Sequence, residues 1–243
     1  MNQDNSQTPD KEFKYFDLFM AVFVTVLVVS NVASSAKIID LRTTLFGLPL
    51  AFDGGTLLFP VSYIFGDILT EVYGYKRSRR VIWTGFACLV LASVIFWLVG
   101  VLPGEASWKA YAGDAAYVAI LGGMSSGGIV LGSLAGYWGG EFTNSFILAK
   151  LKVLTNGRLL WVRTIGSTLA GELVDSVLFV TVACGFGIFP WALFSTLVFT
   201  NYLFKTLIEV IMTPFTYIVV NHTKRIEHED HFDRDTNFNP FGA

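Results

Sequence analysis

Charge is scarce in this chain. Of its 243 residues only 15% are Asp, Glu, Lys or Arg, against about 25% in soluble domains. A soluble fold of this size needs a charged shell, and 53% hydrophobic residues with a mean hydropathy of +0.56 do not provide one. A basic excess is missing as well: the net charge is −2 and the pI ≈ 5.9, so there is no cationic face for nucleic acid. Cysteine is reduced to Cys88 and Cys184, both inside apolar stretches, where they read as small buried hydrophobes rather than a disulfide or metal pair. All three histidines, His222, His228 and His231, fall after residue 220. The run Gly122-Gly123-Met124-Ser125-Ser126-Gly127-Gly128 therefore has no neighbouring base that would make an intramembrane serine nucleophile. There is no His/Cys metal cluster and no Walker-type phosphate loop. These absences argue against a secreted scaffold, a nucleic-acid binder and an enzyme, and they imply no catalytic residue, metal or cofactor.

Long uncharged runs dominate what is present. Residues 18–36, 81–104, 115–140 and 176–204 hold no Asp, Glu, Lys or Arg. A membrane helix needs about 20 apolar residues to cross about 30 Å of hydrocarbon. The spacing predicts an all-α polytopic membrane protein with six transmembrane helices, over about 16–37, 55–74, 81–102, 117–140, 164–185 and 191–219. Thirteen Lys and Arg fall on one side: Lys11, Lys14, Lys76, Arg77, Arg79, Arg80, Lys150, Lys152, Arg158, Arg163, Lys224, Arg225 and Arg234. Only Arg42 and Lys109 fall on the other. The positive-inside rule places both termini in the cytoplasm. The chain divides into an N-terminal tail (1–15), a six-helix domain (16–220) and a C-terminal tail (221–243). The first span is also weighed as a signal peptide, against its acidic polar head, its long apolar run and Lys37 immediately after. The C-terminal tail is polar, and a flexible, solvated segment is expected there rather than a metal site at His228, Glu229, Asp230 and His231.

The informative residues are charges placed where lipid should be: Lys37, Asp67, Glu71, Glu141, Glu172, Asp175, Lys205 and Glu209. Each costs about 2.5–3.5 kcal/mol at the bilayer centre if unpaired. Their spacing is helical. Asn201, Lys205, Glu209 and Thr213 share one face, as do Thr164, Thr168, Glu172 and Ser176 with Asp175 alongside, and Tyr63, Asp67, Glu71 and Tyr75. Asn31 and Ser35 form a shorter stripe on the first span. Helices with one polar stripe each build a wet or ligand-filled cavity. The plainer alternative is an ion pair, Lys205 with Glu209 or with Asp175, that only pins register. Acids exceed lysines six to two in this set, which favours a site for a donor-rich ligand or for protons.

Gly66-Asp67-Ile68-Leu69-Thr70-Glu71, Gly140-Glu141-Phe142-Thr143-Asn144-Ser145 and Gly171-Glu172-Leu173-Val174-Asp175-Ser176 share a pattern of Gly, acid, two residues and two polar residues. It fits duplicated helical units and it fits chance. The Gly-rich run 122–128 reads as a broken helix or as close helix packing, with packing preferred. Gly128 and Gly132 would serve a homodimer or internal packing equally.

At Phe59-Pro60…Asp67-Ile68-Leu69-Thr70…Gly74…Arg79-Arg80-Val81-Ile82, and again at Ser167-Thr168-Leu169…Asp175 and Asn201-Tyr202…Lys205, the sequence resembles the queuosine precursor transporter family, also called vitamin-uptake-like membrane proteins. The resemblance spans most of the chain outside the tails. It implies a six-helix protein of the bacterial inner membrane that imports 7-cyano- or 7-aminomethyl-7-deazaguanine, or queuine, for tRNA queuosine salvage. Asp67, Asp175, Tyr202 and Lys205 fall on the family pattern. Asn31, Glu172 and Asn201 join them as substrate-binding candidates on the stripe argument, with Glu71 and Glu209 on a proton or exit path. The expected partners are a small deazapurine and the lipid bilayer. The alternative is a substrate-binding subunit resembling the S components of energy-coupling-factor transporters, which carry a vitamin or other small polar metabolite and need an ATPase module. Those subunits dock through small residues four apart on the first helix, and here Ala33 plus four is Lys37.

Overall fold

The computed structural model describes residues 12–45, 48–125, 127–187 and 190–242. Lys11, counted above for orientation, lies outside them. Helix α1 spans Phe16–Ala36, and a two-stranded antiparallel hairpin follows, β1 (Ile38–Leu45) and β2 (Leu48–Asp53). A 3₁₀ turn (Gly54–Leu57) leads into α2 (Phe59–Tyr73) and then α3 (Tyr75–Val101). The short α4 (Ala106–Tyr111) precedes α5 (Gly113–Ser125), α6 (Gly127–Leu154), α7 (Leu160–Gly185) and α8 (Phe194–Glu227). Apart from the hairpin the described fold is all-α.

Among the described residues, five segments are long and apolar enough to cross a membrane: α1, α3, α5 with α6, α7, and α8. The protein is therefore a polytopic membrane protein. The sixth expected span takes another form. Helix α2 has 15 residues, about 22 Å at 1.5 Å per residue, which is short of the hydrocarbon layer. It has no need to meet lipid, because α1, α3, α6 and α8 pack around it. Ile64, Ile68, Leu69, Val72 and Tyr73 are all buried there. A helix enclosed by others can carry Asp67 and Glu71 at no lipid-exposure cost.

The outer faces look different. Leu203, Leu207, Ile211, Phe215 and Ile218 on α8, and Leu91, Val94, Trp97, Leu98 and Val101 on α3, are exposed. They form the lipid-facing complement of the polar stripes.

Helices α6 and α7 are the most closely packed pair. A Cβ on Gly140 would lie 2.8 Å from the Asp175 Cβ, and one on Gly171 would lie 2.9 Å from the Asn144 Cβ. Small residues thus let these backbones approach, the usual device of membrane helix contacts. Gly132 faces Phe179 of α7 in the same way, so it serves internal packing. Gly123 meets Ser35 of α1, which supports close packing for the Gly-rich run, while Ser126 lies outside the described residues.

The C-terminal tail departs from expectation. Helix α8 continues to Glu227, and residues 228–242 fold back across one end of the bundle instead of standing free in solvent. The His231 N–H donates to the Val72 carbonyl at 3.2 Å. Asp233 accepts from the Tyr75 N–H at 3.0 Å, and the Trp83 indole donates to the Pro240 carbonyl at 2.9 Å. The rings of Phe238 and Phe241 sit against Tyr75 and Trp83. The tail crosses the helix corners at Gly74 and Gly157, which have φ of +86° and +75°. Those left-handed conformations favour glycine, and a Cβ at either corner would meet His231 or Phe232. The sequence hid this because the anchors are isolated aromatics in a polar segment.

Burial raises the Asp230 carboxyl, but hydrogen bonds from Lys152 and Lys224 outweigh it and hold it below the usual carboxylate range. Asp233 is likewise raised by burial and lowered, in net, by His231, Thr236 and the Tyr75 N–H.

Candidate functional site

Buried charge is gathered into two layers. The first closes the end of the bundle crossed by the tail. Glu71, fully buried on α2, receives Arg163 of α7 through Nη2 at 2.7 Å and Nε at 3.2 Å. Lys224 of α8 reaches the same carboxylate at 2.7 Å and Lys152 of α6 at 3.5 Å. Lys152 also donates to the Glu71 carbonyl and to Asp230, which pairs with Lys224 at 2.8 Å. Three cations and two acids thus tie α2, α6, α7, α8 and the tail together. The sequence reading counted Lys152, Arg163 and Lys224 only as cytoplasmic charges. Arg163 shares a face with Ser167 and Gly171, which was the available signal for its inward direction.

The second layer lies deeper, between α2, α6, α7 and α8. Lys205 of α8 donates to Asp175 of α7 and stands 3.3 Å from Glu172. Tyr63 of α2 faces the same two carboxylates. The pair Lys205–Glu209 does not form; the lysine turns to α7 instead. Asp67 of α2 accepts from the Asn144 amide of α6 at 2.9 Å. Glu141 reaches toward Gly66, its Oε2 lying 3.2 Å from where a Cβ on that glycine would be. Asn144 and Glu141 were not among the candidate binding residues, although both stand in the repeated Gly-acid pattern.

That pattern acquires a spatial meaning. Gly66 faces Glu141, Gly140 faces Asp175, Gly171 faces Asn144, Asp67 bonds Asn144, and Thr70 bonds Ser145 at 3.0 Å. The three segments converge on one crossing region. The remaining candidates lie around it. Asn201 and Tyr202 are half-buried on α8, one turn from Lys205. Asn31 is buried on α1 with its amide donating to the Leu27 carbonyl at 2.9 Å. Glu209 is buried on α8 one turn beyond Lys205. Glu71 belongs to the closing layer.

What marks the deeper layer is incomplete hydrogen bonding. Among the described residues, eleven buried side-chain oxygens have no hydrogen-bond partner, and all lie on α2, α6, α7 or α8. They include one oxygen each of Asp67, Glu141 and Asn144 and both of Glu209, with the hydroxyls of Thr168 and Ser176; both oxygens of Glu172 belong to the set too, although one has Lys205 as an ion-pair partner at 3.3 Å. An unsatisfied buried polar group costs about 1–3 kcal/mol, and more when charged. A set of this size on four packed helices is a buried polar cluster whose oxygens are open to further hydrogen-bond donors.

The sequence profile of the family described as "Putative vitamin uptake transporter" matches residues 53–219. The chain belongs to this family. The matched stretch of this vitamin uptake transporter family member contains α2 to α7 and most of α8, and hence both charged layers apart from Lys224 and the tail. The chain is similar to the "Probable queuosine precursor transporter" of Bacillus subtilis (strain 168), with 27% identity over 209 residues, 85% of each chain. It is also similar to the "Probable queuosine precursor transporter" of Haemophilus influenzae (strain ATCC 51907 / DSM 11121 / KW20 / Rd), with 24% identity over 168 residues, covering 68% of this chain and 67% of that one. No solved structure matches.

Proposed function

We propose that the protein imports 7-deazaguanine precursors of queuosine, 7-cyano- or 7-aminomethyl-7-deazaguanine or queuine, across the bacterial inner membrane, holding them at the buried polar cluster between α2, α6, α7 and α8. The observation that carries this reading is the set of unpartnered oxygens beside Lys205. A deazaguanine presents N1–H and an exocyclic amine side by side, and one carboxylate accepts from both. Asp175 or Glu172 grips that edge, and Lys205 or Asn201 donates to the adjacent carbonyl. Tyr202 or Tyr63 stacks on the ring. Asp67 and Asn31 complete the wall. Both named relatives support the substrate class. No step in this reading breaks or forms a bond in the ligand, so the protein acts as a transporter rather than an enzyme.

Glu71 takes the exit position. Its ion network closes the end where the basic residues gather, the cytoplasmic end by the positive-inside rule, and the ligand leaves when that network opens. Self-sufficient transport is also supported on α1. Ala33 there lies under Gly54, and Ser35 bonds the Ile120 carbonyl at 2.8 Å. Two of the small residues that an S-component-like subunit would offer to an ATPase module, Ala33 and Ser35, are half-buried and already in contact with other parts of the chain.

The test is tRNA queuosine in a host that cannot synthesise the base, supplied with each precursor. Expression of the chain is expected to restore the modification. Asp175→Asn and Lys205→Ala are expected to insert normally and lower uptake about 10–100-fold, the worth of a charged hydrogen bond. Wild-type uptake in both variants would remove these residues from the site.

A further inference from the structure

Among the described residues, the polar cluster between α2, α6, α7 and α8 holds more acids than its lysine and its ligand can balance. Its acids are Asp67 from α2, Glu141 from α6, Glu172 and Asp175 from α7, and Glu209 from α8, and the cation facing them is Lys205. The other titratable groups nearby are phenols: Tyr63 of α2, and Tyr137 of α6, which donates to the Ile82 carbonyl of α3 at 2.9 Å. Lys205 serves Asp175 and Glu172. Asp67 has the Asn144 amide on one oxygen. Glu209 has nothing on either oxygen among the described residues, at 1% exposure, and faces the charges of Asp67, Glu172 and Glu141. A neutral deazapurine donates to one carboxylate and neutralises none.

Buried carboxylates in such surroundings hold a cation in common or each take a proton. A shared cation needs several oxygens converging on one point, and among the described residues no three acidic, His or Cys side chains are placed to hold a metal ion. A proton needs only one oxygen.

We propose that Glu209 is a proton-carrying site that couples ligand uptake to proton entry, separate from the ligand-holding group of Lys205, Asp175 and Glu172. This rests on the transport reading above. In each cycle an O–H bond forms on Glu209 with a proton from water at the outer mouth. That bond breaks on the inner side, the proton passing to water and the carboxylate being regenerated. Glu209 stands one turn from Lys205 on the same stripe of α8, so a shift of this helix that moves the ligand also moves the proton site.

The purified full chain in proteoliposomes tests this with 7-cyano-7-deazaguanine as probe. With the interior one pH unit alkaline, wild type is expected to concentrate the probe about tenfold, the limit for one proton per neutral molecule. Collapse of the gradient is expected to abolish accumulation. Glu209→Gln is expected to keep probe exchange between equal pools and lose gradient-driven accumulation, and Glu209→Asp to restore part of it. Exchange in wild type that ignores the pH gradient, or that follows a sodium gradient instead, overturns the proposal. Infrared spectroscopy of the protein gives a readout that does not depend on the probe. A carbonyl band of protonated carboxylic acid, present in wild type and reduced in Glu209→Gln, supports the proton site even if the probe is not carried, which would count against the substrate reading alone. Absence of any change in that band overturns the proton site.

Discussion

Glu71 and Glu209 are both buried carboxylates in membrane helices, and their surroundings are opposite. Glu71 meets an arginine and two lysines, and Glu209 meets three other acids. Burial alone therefore says little about role. A carboxylate saturated by cations fixes the helices that supply them, whereas one left without a partner stores a demand that a ligand or proton must meet. The same protein holds one arrangement at the end crossed by its tail and the other among the acids of the deeper layer.

The sharpest way to break the comparison is to neutralise each acid in turn. Glu71→Gln strands Arg163, Lys152 and Lys224, and a loss of about 3–5 kcal/mol is expected, the cost of removing one partner of a buried pair. Thermal unfolding followed by size-exclusion in detergent should show it as a large fall in the melting temperature. Glu209→Gln should leave that temperature unchanged or raise it. Equal losses in the two variants would show that both acids are structural.

A smaller effect is expected at the close crossing of α6 and α7. Gly140→Ala places a methyl against the Asp175 Cβ and the Gly171 carbonyl, and overpacking of this kind costs about 1–3 kcal/mol. Uptake should fall as well, because Asp175 is displaced. Gly113→Ala is a poor control, since its positive φ adds strain. Gly185→Ala has open space around it and should change neither property.

The smallest effect concerns pH and the tail. Asp230 and Asp233 both have carboxyls held below their ordinary value. A depressed folded-state pKa adds stability above the unfolded value, and that stability disappears as pH falls through the folded one. Docking of 228–242 should persist from neutral pH to about 4 and loosen only below it. Hydrogen exchange at the His231 amide, which donates to Val72, reports this directly. Loosening between pH 6 and 8 would assign control to the histidines instead.

The polar stripes were legible in the sequence because a fourfold spacing of rare charged residues in apolar helices has few other meanings. Lys205, Asp175 and Glu172 meet as those stripes imply. The partners of Glu71 were not legible. Arg163 and Lys224 lie 92 and 153 residues from it, and basic residues at helix ends serve topology equally well. Helix α2 was read as another full span because composition reports apolarity, not whether lipid or protein surrounds it. The hairpin 38–53 was passed over as a connection, although half of its first strand is β-branched: Ile38, Ile39, Thr43 and Thr44. Asn144 shows a different limit. Its place in a six-residue pattern was visible, but only the meeting of α2, α6 and α7 turns that pattern into a site.

Glu227, the last residue of α8, accepts from the Lys14 N–H at 3.0 Å and the Tyr15 N–H at 2.6 Å, and from the Tyr73 hydroxyl at 2.9 Å. The opening turn of the first helix is thus completed by a side chain synthesised more than two hundred residues later. During synthesis those backbone donors wait in water or headgroups while five membrane segments are laid down. Until Glu227 is made, the chain carries the helices of both charged layers but lacks the clasp that joins its first turn to its last.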